Sequence, residues 1–408
     1  MWEPGELGRL RTVAVERSEV LVVGGGNAGI SLAARLLRDG FDEVTLVAPQ
    51  PVHRYKPLLN YVGAGEASMS ELERPMADVV PDGCRWIRDA VVAVDPAAMT
   101  VRTRGGRTLH ASTLVLCPGL VEDWEATPGL QQAYADGWAA STYVPGSTPQ
   151  VWPRLSALRS GTVVFTVPPE PASCAPTALK PLLMACDSWR RAGVLADLDV
   201  VLVLPEATAT RLPEADEHLE QTFTRYGVRV LREARIEHVD WDVHALHVRT
   251  PAGTRVLEDV AFAHAVPHYR APRWIADAGL AADPAPGLVD VDPETLRSRR
   301  HGSIWAIGDA ADLATRPSGG ALRKQVDVLA KNLAAVRKGK RLTRYDGYTV
   351  MPITVTRRKL MLNEVDREGR PSPSVPLIDP FKARRWQWLF DRHGLPQVYW
   401  RRILRGKV

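Results

Sequence analysis

Residues 20–29 read Val-Leu-Val-Val-Gly-Gly-Gly-Asn-Ala-Gly, and this stretch decides the fold. Four consecutive apolar residues that end in glycines are typical of a buried parallel strand. The next apolar residues, as far as Leu37, recur on one face of a helix that ends at Gly40. A second short run at residues 44–47 completes a βαβ unit.

The glycines of this stretch match the GxGxxG pattern of dinucleotide-binding sites. Gly24 permits a tight turn, Gly26 lets the backbone approach a pyrophosphate, and Gly29 allows the helix to pack closely on the strand. The helix begins at Asn27 and Ala28, where its dipole adds positive partial charge for the phosphates. The alternative is a glycine-rich turn without a ligand, but the position between a strand and a helix favours a dinucleotide.

A second motif, Gly308-Asp309, lies near the other end of the chain. It follows an apolar run at residues 304–307 and precedes a helix that extends to about Val336. A carboxylate there can accept a hydrogen bond from a ribityl hydroxyl, whereas an isolated Gly-Asp pair is usually a turn with a helix cap. Together with the GxGxxG motif, the pair predicts FAD bound by a domain that is split in sequence.

One part of the dinucleotide motif is missing. The second strand of such a unit usually ends in Asp or Glu, which binds the adenosine ribose. Ala48 occupies this position, followed by Pro49 and Gln50. Gln50 or backbone groups are the candidates to replace the acid, and a reduced affinity for FAD stays open.

A second βαβ series covers residues 162–204. Its first strand is followed by Pro168-Pro169-Glu170-Pro171 and lacks a glycine-rich fingerprint. Because prolines have no amide donors, this loop argues against a nicotinamide nucleotide. The predicted fold is α/β, with two Rossmann-like dinucleotide-binding domains. Its parts are an N-terminal arm (1–18), the FAD domain (19–158 and 276–345), the second domain (159–275) and a C-terminal membrane- or partner-facing region (346–408).

Composition narrows the class of protein. The 408 residues are 45% hydrophobic and 24% charged, which is globular, and the net charge of +5 is too small to suggest nucleic acid. The cysteines are too scattered for a metal site or a disulfide framework and indicate a reducing compartment: Cys84, Cys117, Cys174 and Cys186. The sequence shows neither a signal peptide nor a 20-residue apolar span. We expect a cytoplasmic protein that meets a membrane only peripherally, on its inner face.

The C-terminal stretch after Pro380 mixes aromatic and basic residues. This combination is typical of helices that lie at a membrane surface. The alternative is a helix packed on the same chain or on a partner, whereas no nucleic-acid-binding module accompanies the stretch. We expect the FAD domain to be complete before Pro380. The residues concerned are Phe381, Trp386, Trp388, Leu389, Phe390, Tyr399, Trp400, Ile403 and Leu404, with Lys382, Arg384, Arg385, Arg392, Arg401, Arg402, Arg405 and Lys407.

Short segments spread along the chain after residue 18 carry a family resemblance. They are 53–58 (HRYKPL), 62–65 (VGAG), 171–176 (PASCAP), 289–292 (VDVD), 307–309 (IGD), 345–349 (YDGYT), 395–396 (LP), 399–400 (YW) and 404–406 (LRG). With them, nearly the whole chain resembles the sulfide:quinone oxidoreductases of the mitochondrial type. The resemblance implies an FAD-dependent oxidoreductase that passes electrons from a sulfur-containing or other reductant to a quinone.

The resemblance also implies two redox cysteines, of which this chain has one. Cys174 matches the cysteine that forms a bridge or adduct at the flavin and attacks it as a thiolate. The partner cysteine would stand two residues after Thr349, where this chain has Met351, and a thioether can neither carry a persulfide nor close a disulfide. Pro317 and Ser318 replace a typical Lys-Thr pair.

Other residues are assigned to the flavin site. Arg54 and Lys56, before Pro57, are cations that would stabilise a reduced flavin. The alternative is that both are charged side chains exposed to solvent in a loop, without contact to a flavin. Gln325 is retained from the family on the last predicted helix. Cys117 is expected to be structural. Its loop, which includes Gly119, is expected to pack near the flavin, so Cys117 is the second candidate for a redox thiol.

Two further functions stay open. An FAD enzyme could oxidise a non-sulfide substrate, with Cys174 incidental. A flavin-binding or flavin-free descendant could instead act as a partner subunit, which the departures at Ala48 and Met351 favour modestly. The sequence does not fix the reductant or the oligomeric state, so an oligomer is also open.

Overall fold

The computed structural model of the protein describes residues 16–281, 286–375 and 378–407. Residues 1–15 of the predicted N-terminal arm lie outside this part. Residues 16–18 do not form an arm, because they pair with residues 109–111 as the start of the first strand.

Strands and short helices alternate along the chain. The strands are β1 Glu16–Val23, β2 Val44–Val47, β3 Val52–Arg54, β4 Glu73–Pro75, β5 Arg85–Ile87, β6 Val91–Asp95, β7 Thr100–Thr103, β8 Thr108–Leu116, β9 Val121–Asp123, β10 Ala139–Ala140, β11 Gly161–Thr166, β12 Leu198–Val203, β13 Arg229–Leu231, β14 Arg235–Asp240, β15 Ala245–Thr250, β16 Gly253–Leu257, β17 Val260–His264, β18 His268–Arg270, β19 Ile304–Ala306, β20 Thr349–Val350, β21 Ile353–Thr356, β22 Lys359–Met361 and β23 Glu364–Val365. The α-helices are α1 Asn27–Arg38, α2 Leu59–Val62, α3 Met69–Leu72, α4 Met76–Val79, α5 Leu130–Asp136, α6 Thr148–Ala157, α7 Leu179–Ala192, α8 Pro213–Tyr226, α9 Arg273–Asp277, α10 Leu322–Arg337, α11 Arg385–Leu389 and α12 Leu395–Arg401. Short 3₁₀ turns include Lys56–Leu58, Ala175–Ala178 and Ile403–Arg405, and residues Phe390–Gly394 form a π-helical turn.

The first sheet has the strand order β5-β2-β1-β8-β7-β6, with β19 beside β8. β1 pairs in parallel with both β2 and β8, so its residues 20–23 are buried on both faces, as a continuous apolar run predicts. The chain leaves this sheet after β8 and returns to it at β19, where Ile304 pairs in parallel with Leu114. The sheet is therefore split in sequence.

The second sheet has the parallel order β10-β17-β11-β12-β13. Its first strand, β10, comes from residues 139–140, so the chain begins to contribute to this sheet before the predicted limit at residue 158. A separate antiparallel sheet, β14-β15-β16, follows β13 in the chain. The carboxyl ends of β11 and β12 lead into the loops that carry Cys174 and Pro205.

The C-terminal region packs on both sheets' helices. The β21–β22 hairpin lies against α7, and α11 lies against β22. The last residues reach α1, since a Cβ added to Gly406 would lie 2.5 Å from the backbone nitrogen of Arg35. Contrary to expectation, the FAD-domain core is not complete before Pro380, because Tyr399 and Leu404 are buried in it. Among the residues that the structure describes, no helix is both long and apolar enough to cross a membrane.

Candidate flavin and thiol site

The glycine loop leaves an opening at one position only. A Cβ on Gly24, whose φ is +117°, would lie 2.1 Å from the Cys117 carbonyl oxygen, and a Cβ on Gly29 would lie 1.8 Å from the Gly24 carbonyl oxygen. Both contacts forbid a side chain. Gly26 is exposed, and a Cβ there would meet nothing within 4 Å. The first turn of α1 has no acidic residue and no side-chain cap, so its amides are free for an anion.

This geometry fits a pyrophosphate. The open side at Gly26 lies beside the amides of Asn27 and Ala28, whereas the closed sides hold strand and helix together. Asn27 also ties the loop to the C-terminal half, because its side-chain amide donates to the Gly319 carbonyl at 3.2 Å.

Tyr399, near the other end of the chain, supports the glycine loop through His53, and we call these two residues the strap. His53 Nδ1 donates to the Gly25 carbonyl at 3.0 Å, so its Nε2 accepts from the Tyr399 hydroxyl at 2.6 Å. Burial lowers the pKa of His53 to about 4, which keeps the ring neutral and fixes these roles. Neither His53 nor Tyr399 was predicted as a loop support, because their pairing spans 346 residues.

At the end of β2, where an acidic residue is usual, the side chain of Ala48 is packed in the core. Ala48 is fully buried, and its carbonyl accepts from Trp86 Nε1 at 3.0 Å. A Cβ on Gly25 would lie 2.6 Å from the Ala48 Cβ and 2.4 Å from the Met76 Cε. The residues here fit the phosphates of a dinucleotide but offer no carboxylate to its ribose. Gln50, the proposed substitute, is exposed at this edge.

The Gly308-Asp309 motif meets the glycine loop, as predicted from the two ends of the sequence. A Cβ on Gly308 would lie 3.6 Å from the Ala28 Cβ, and its φ of +77° suits glycine. Burial raises the pKa of Asp309, although the charge of Lys56 and a hydrogen bond from Ser173 act against this shift. Asp309 is partly exposed, so its carboxylate can still accept a hydroxyl.

Gln325 and Arg54 do not face an open site. Gln325 is 1% exposed, and its Oε1 accepts from the Gly308 amide at 2.9 Å, so it supports the motif from behind. Arg54 is paired with Glu73 at 2.8 Å across the β3–β4 ladder. Its charge is therefore matched by Glu73, and its role beside a flavin stays a prediction. Lys56 and Pro57 are exposed on the neighbouring 3₁₀ turn.

Cys174 occupies a constrained turn at the end of β11. Its backbone is left-handed (φ 49°, ψ 50°), its amide donates to the Pro317 carbonyl at 2.8 Å, and its thiol donates to the Val350 carbonyl at 3.6 Å. Burial raises the pKa of Cys174 to about 12, with the Lys180 charge acting against the shift. The free thiol is therefore protonated near neutral pH.

Met351 lies beside Cys174. Both belong to one small apolar cluster, in which Met351 is 1% exposed and Cys174 lies at the margin. Pro317 and Ser318 join their two segments, because the Pro317 carbonyl accepts from the Cys174 amide at 2.8 Å and the Ser318 hydroxyl accepts from the Val350 amide at 3.3 Å. The structure thus brings together the two positions that the resemblance paired, with one thiol and one thioether.

Two of the other thiols lie in the core, and Cys84 is partly buried against it. Cys117 is 5% exposed under the glycine loop, and burial raises its pKa to about 12. Gly119, two residues on, borders open space. Cys186 is fully buried in α7. In residues 16–281, 286–375 and 378–407, no group of three metal-ligating side chains is suitably placed for an ion.

The second sheet has little room at its carboxyl edge. The cavity there, lined by Pro169, Pro205 and His268 among others, has a volume of about 20 Å³. Such a space holds about one water molecule.

The two sheets each contain neighbouring parallel strands, and the one that is split in sequence carries a glycine loop and a Gly-Asp motif. This architecture is that of the two-dinucleotide-binding-domain flavoprotein oxidoreductases. The predicted fold class is confirmed. A chain of the Tetrahymena thermophila mitochondrial ATP synthase superposes with a TM-score of 0.81 at 19% identity, over 99% of this chain and 98% of that one. The sulfide:quinone oxidoreductase of Aquifex aeolicus superposes at 0.80 and 17% identity, over 96% and 92%.

Sequence comparison narrows the class to one kind of enzyme. The mitochondrial sulfide:quinone oxidoreductase of mouse is 28% identical over 392 residues, which cover 95% of this chain and 86% of the relative. That of Dictyostelium discoideum is 28% identical over 396 residues, or 96% and 86%. No protein-family model matches the chain. The chain is an oxidoreductase similar to the sulfide:quinone oxidoreductases, and the resemblance inferred from its motifs is confirmed.

Proposed function

We propose that the protein binds FAD and passes electrons through it from a small-molecule sulfur donor to a quinone. The observation that carries this proposal is the meeting of three distant segments. Ser173, which precedes Cys174 in the chain, holds down the pKa of Asp309, and a Cβ built on Gly308 would lie 3.6 Å from the Ala28 Cβ in the first turn of α1. A donor thiol therefore lies beside the motif assigned to the ribityl chain.

The proposed FAD site runs from the glycine loop to Asp309. The amides at Gly26 and the start of α1 would bind the pyrophosphate, and Asp309 would accept a ribityl hydroxyl. FAD, when bound, accepts two electrons from a donor and returns them to an acceptor. Because Ala48 offers no carboxylate, the adenosine end would be held by packing and by Gln50.

The donor side is Cys174. The Cys174 residue is partly exposed, and the Lys180 charge favours its thiolate. We expect a small sulfur compound to reach it. Since Met351 cannot close a disulfide or carry a sulfane sulfur, free sulfide should react poorly. A donor with already activated sulfur, or another thiol, fits the single cysteine better.

The acceptor side is assigned to the C-terminal region, where part of the predicted membrane face is exposed. Trp386, Leu389 and Phe390 are 41%, 54% and 43% exposed. They follow the i, i+3, i+4 spacing of one helical face. Exposed Lys382 and Arg385 adjoin this face. Indole, leucine and phenylalanine beside cations suit an anionic lipid surface.

The interfacial surface is smaller than the sequence indicated. Phe381, Trp388 and Tyr399 are buried against the protein, so the alternative of self-packing applies to them.

The Gln387 side chain, on the same turn as the exposed face, is fully buried, and neither of its polar atoms has a hydrogen-bond partner in the described structure. A quinone carbonyl would supply one, since a buried amide without a partner is costly.

The proposed location is the cytoplasm, peripherally on the inner face of a membrane. The mouse and Dictyostelium relatives are named as mitochondrial enzymes.

The Leu389→Asp/Phe390→Asp variant should lose binding to anionic liposomes and keep the cofactor. A matched control, Val243→Asp, alters an exposed valine on the distant β14–β15 turn and should bind normally.

The deciding experiment is anaerobic reduction of the purified protein. Flavin absorbance that bleaches with a persulfide or thiol donor, and returns on addition of a soluble quinone, supports the proposal. Cys174→Ser should prevent bleaching by the donor but not by dithionite. Bleaching by NADH, or donor oxidation unaffected by Cys174→Ser, would refute the role of the thiol.

A second candidate function is a partner subunit without catalysis. It is favoured by Ala48 and Met351, and the same fold occurs in a chain of the Tetrahymena ATP synthase. A protein purified without flavin absorbance, which also fails to bind added FAD, would favour this function. An FAD enzyme for a non-sulfide substrate would instead show flavin that no sulfur donor reduces.

A further inference from the structure

The tip of the β21–β22 hairpin lies beside the exposed apolar face of α11. Leu360 in β22 exchanges two backbone hydrogen bonds, of 3.2 and 3.0 Å, with Arg384, which directly precedes α11. The guanidinium carbon of Arg358, in the two-residue turn of the hairpin, lies 4.4 Å from the centre of the Trp388 ring. Trp388 belongs to the same short helix as the exposed Trp386. The hairpin tip and α11 therefore form one continuous surface.

The two arginines of the hairpin turn have different surroundings. Arg357 is used within the protein, because one of its terminal nitrogens lies 2.9 Å from the Glu66 carboxylate and the other donates to the Ala64 carbonyl at 2.9 Å. Arg358 lies 3.9 Å from the Glu66 carboxylate, which is the limit of an ion pair, and its side chain is 56% exposed. The charge of Arg358 is therefore available to a partner outside the protein.

Few carboxylates oppose this charge at the surface. Residues 378–407 contain two acidic residues, Asp379 and Asp391, against eight lysines and arginines. Asp391 is buried and bound to Lys180 at 2.7 Å. Asp379 is exposed, but one of its oxygens accepts from the Phe381 amide at 2.9 Å. The exposed charge of this surface is therefore mainly positive.

Two buried donors near the hairpin tip lack an acceptor among the residues that the structure describes. They are the Trp388 indole N–H and the Nε of Arg384. Buried donors in folded proteins are nearly always hydrogen-bonded, so the missing acceptors point to a bound group. A headgroup rich in phosphate oxygens supplies acceptors, whereas an amine or a hydrocarbon does not.

We propose that Arg358 binds the phosphate of an anionic phospholipid, whose acyl chains lie on the apolar face formed by Trp386, Leu389 and Phe390. The proposal rests on the membrane attachment proposed above and adds a second segment to it, the hairpin tip. A guanidinium presents a planar fork of N–H donors that matches phosphate oxygens. The hairpin also lies against α7, so the lipid is held by the body of the protein as well as by the C-terminal helices.

The test is co-sedimentation of the full-length protein with vesicles of phosphatidylcholine alone, or of phosphatidylcholine mixed equally with phosphatidylglycerol. Arg358→Gln should weaken binding to the mixed vesicles about fivefold at low salt, which is the usual contribution of one basic residue near an anionic surface. On phosphatidylcholine alone it should bind like the wild type. The difference on mixed vesicles should shrink as the salt concentration rises.

Two control variants separate this role from a loss of net charge or of structure. Lys340→Gln removes one exposed positive charge just beyond α10, near the start of β1, because Arg337 binds Glu19 there at 2.9 Å. It should bind both kinds of vesicle like the wild type. Arg358→Lys keeps the charge and should restore most of the lost affinity. The urea midpoint of Arg358→Gln should stay close to that of the wild type, since exposed ion pairs contribute little.

Equal binding of Arg358→Gln and the wild type to mixed vesicles, or equal weakening by Lys340→Gln, overturns the proposal. A loss that is as large on phosphatidylcholine alone also overturns it, because lipid charge would then play no part. If Leu389→Asp/Phe390→Asp abolishes vesicle binding and Arg358→Gln does not weaken it, only the role of the hairpin fails. If the wild type binds neither kind of vesicle, the proposed membrane attachment fails, and the lipid site fails with it.

Discussion

Replacing Gly26 should remove the flavin and leave the fold intact. The backbone at Gly26 has φ −77° and ψ −167°, which any residue adopts, and a Cβ there meets nothing within 4 Å. Gly26→Val should therefore change the free energy of unfolding by no more than about 0.5 kcal/mol, as exposed substitutions usually do. Its side chain would instead occupy the space that a pyrophosphate needs.

The loss of affinity follows from the amides that the phosphate could no longer reach. A hydrogen bond to a charged group contributes about 1.5–3 kcal/mol, so each one lost weakens binding about 10- to 150-fold. The matched control is Gly24→Ala. Its φ of +117° and the 2.1 Å contact with the Cys117 carbonyl oxygen should cost about 1–3 kcal/mol of stability.

Two measurements separate the variants. Flavin released by acid is compared with total protein, and unfolding is followed by circular dichroism in urea. Gly26→Val should purify nearly free of flavin with an unchanged unfolding midpoint, whereas Gly24→Ala should lose both. Full flavin retention by Gly26→Val would show that the pyrophosphate lies elsewhere, and a midpoint as low as that of Gly24→Ala would contradict the open geometry.

Three other outcomes are expected. Met351→Cys should raise sulfide-dependent quinone reduction and Cys174→Ser should abolish the gain; a variant no faster than the wild type would contradict the pairing of these positions. Burial lowers the pKa of His264 to about 4 from 6.5, so its contribution is present above about pH 6.5 and is lost as the pH falls toward 4. In urea unfolding His264 should account for about 2 kcal/mol of the stability lost between pH 7 and pH 5, to which His53, with its pKa of about 4, adds a similar amount, and His264→Gln should show a smaller loss. A chain that ends at Pro380 should lose flavin and unfold more easily, because Tyr399 and Leu404 leave the core; normal flavin content in that chain would mean the strap is dispensable.

The parts of the site that sequence could predict are those set by short-range spacing. The roles of Gly24, Gly26 and Gly29 follow from a strand, a turn and a helix within ten residues, and the geometry agrees at each position. The contact between Gly308 and Ala28 was predictable because parallel strands of one sheet present their carboxyl ends at one edge. The pairing of Cys174 with Met351 came from family resemblance rather than from spacing.

The parts that sequence could not predict depend on a partner far along the chain. Arg54 looked like a free cation because nothing nearby in sequence indicates that β4 brings Glu73 against it. Gln325 lies on a helix whose polar and apolar residues do not reveal that its amide turns inward to Gly308. The aromatic tail had an apolar face at helical spacing, and periodicity does not specify whether protein or lipid covers such a face.

The hydrogen bond between His53 and Tyr399 has a consequence for the order in which the protein is made. The glycine loop is synthesised well before the residue that supports it at Gly25, because Tyr399 lies 346 positions after His53. At about 5–20 residues per second, a ribosome needs roughly 17–70 s to cover that distance. During this time β1 also waits for β19 to complete its sheet. The glycine loop therefore gains its full support only after Tyr399 has been made, and a chain stalled before that residue would hold the loop without it.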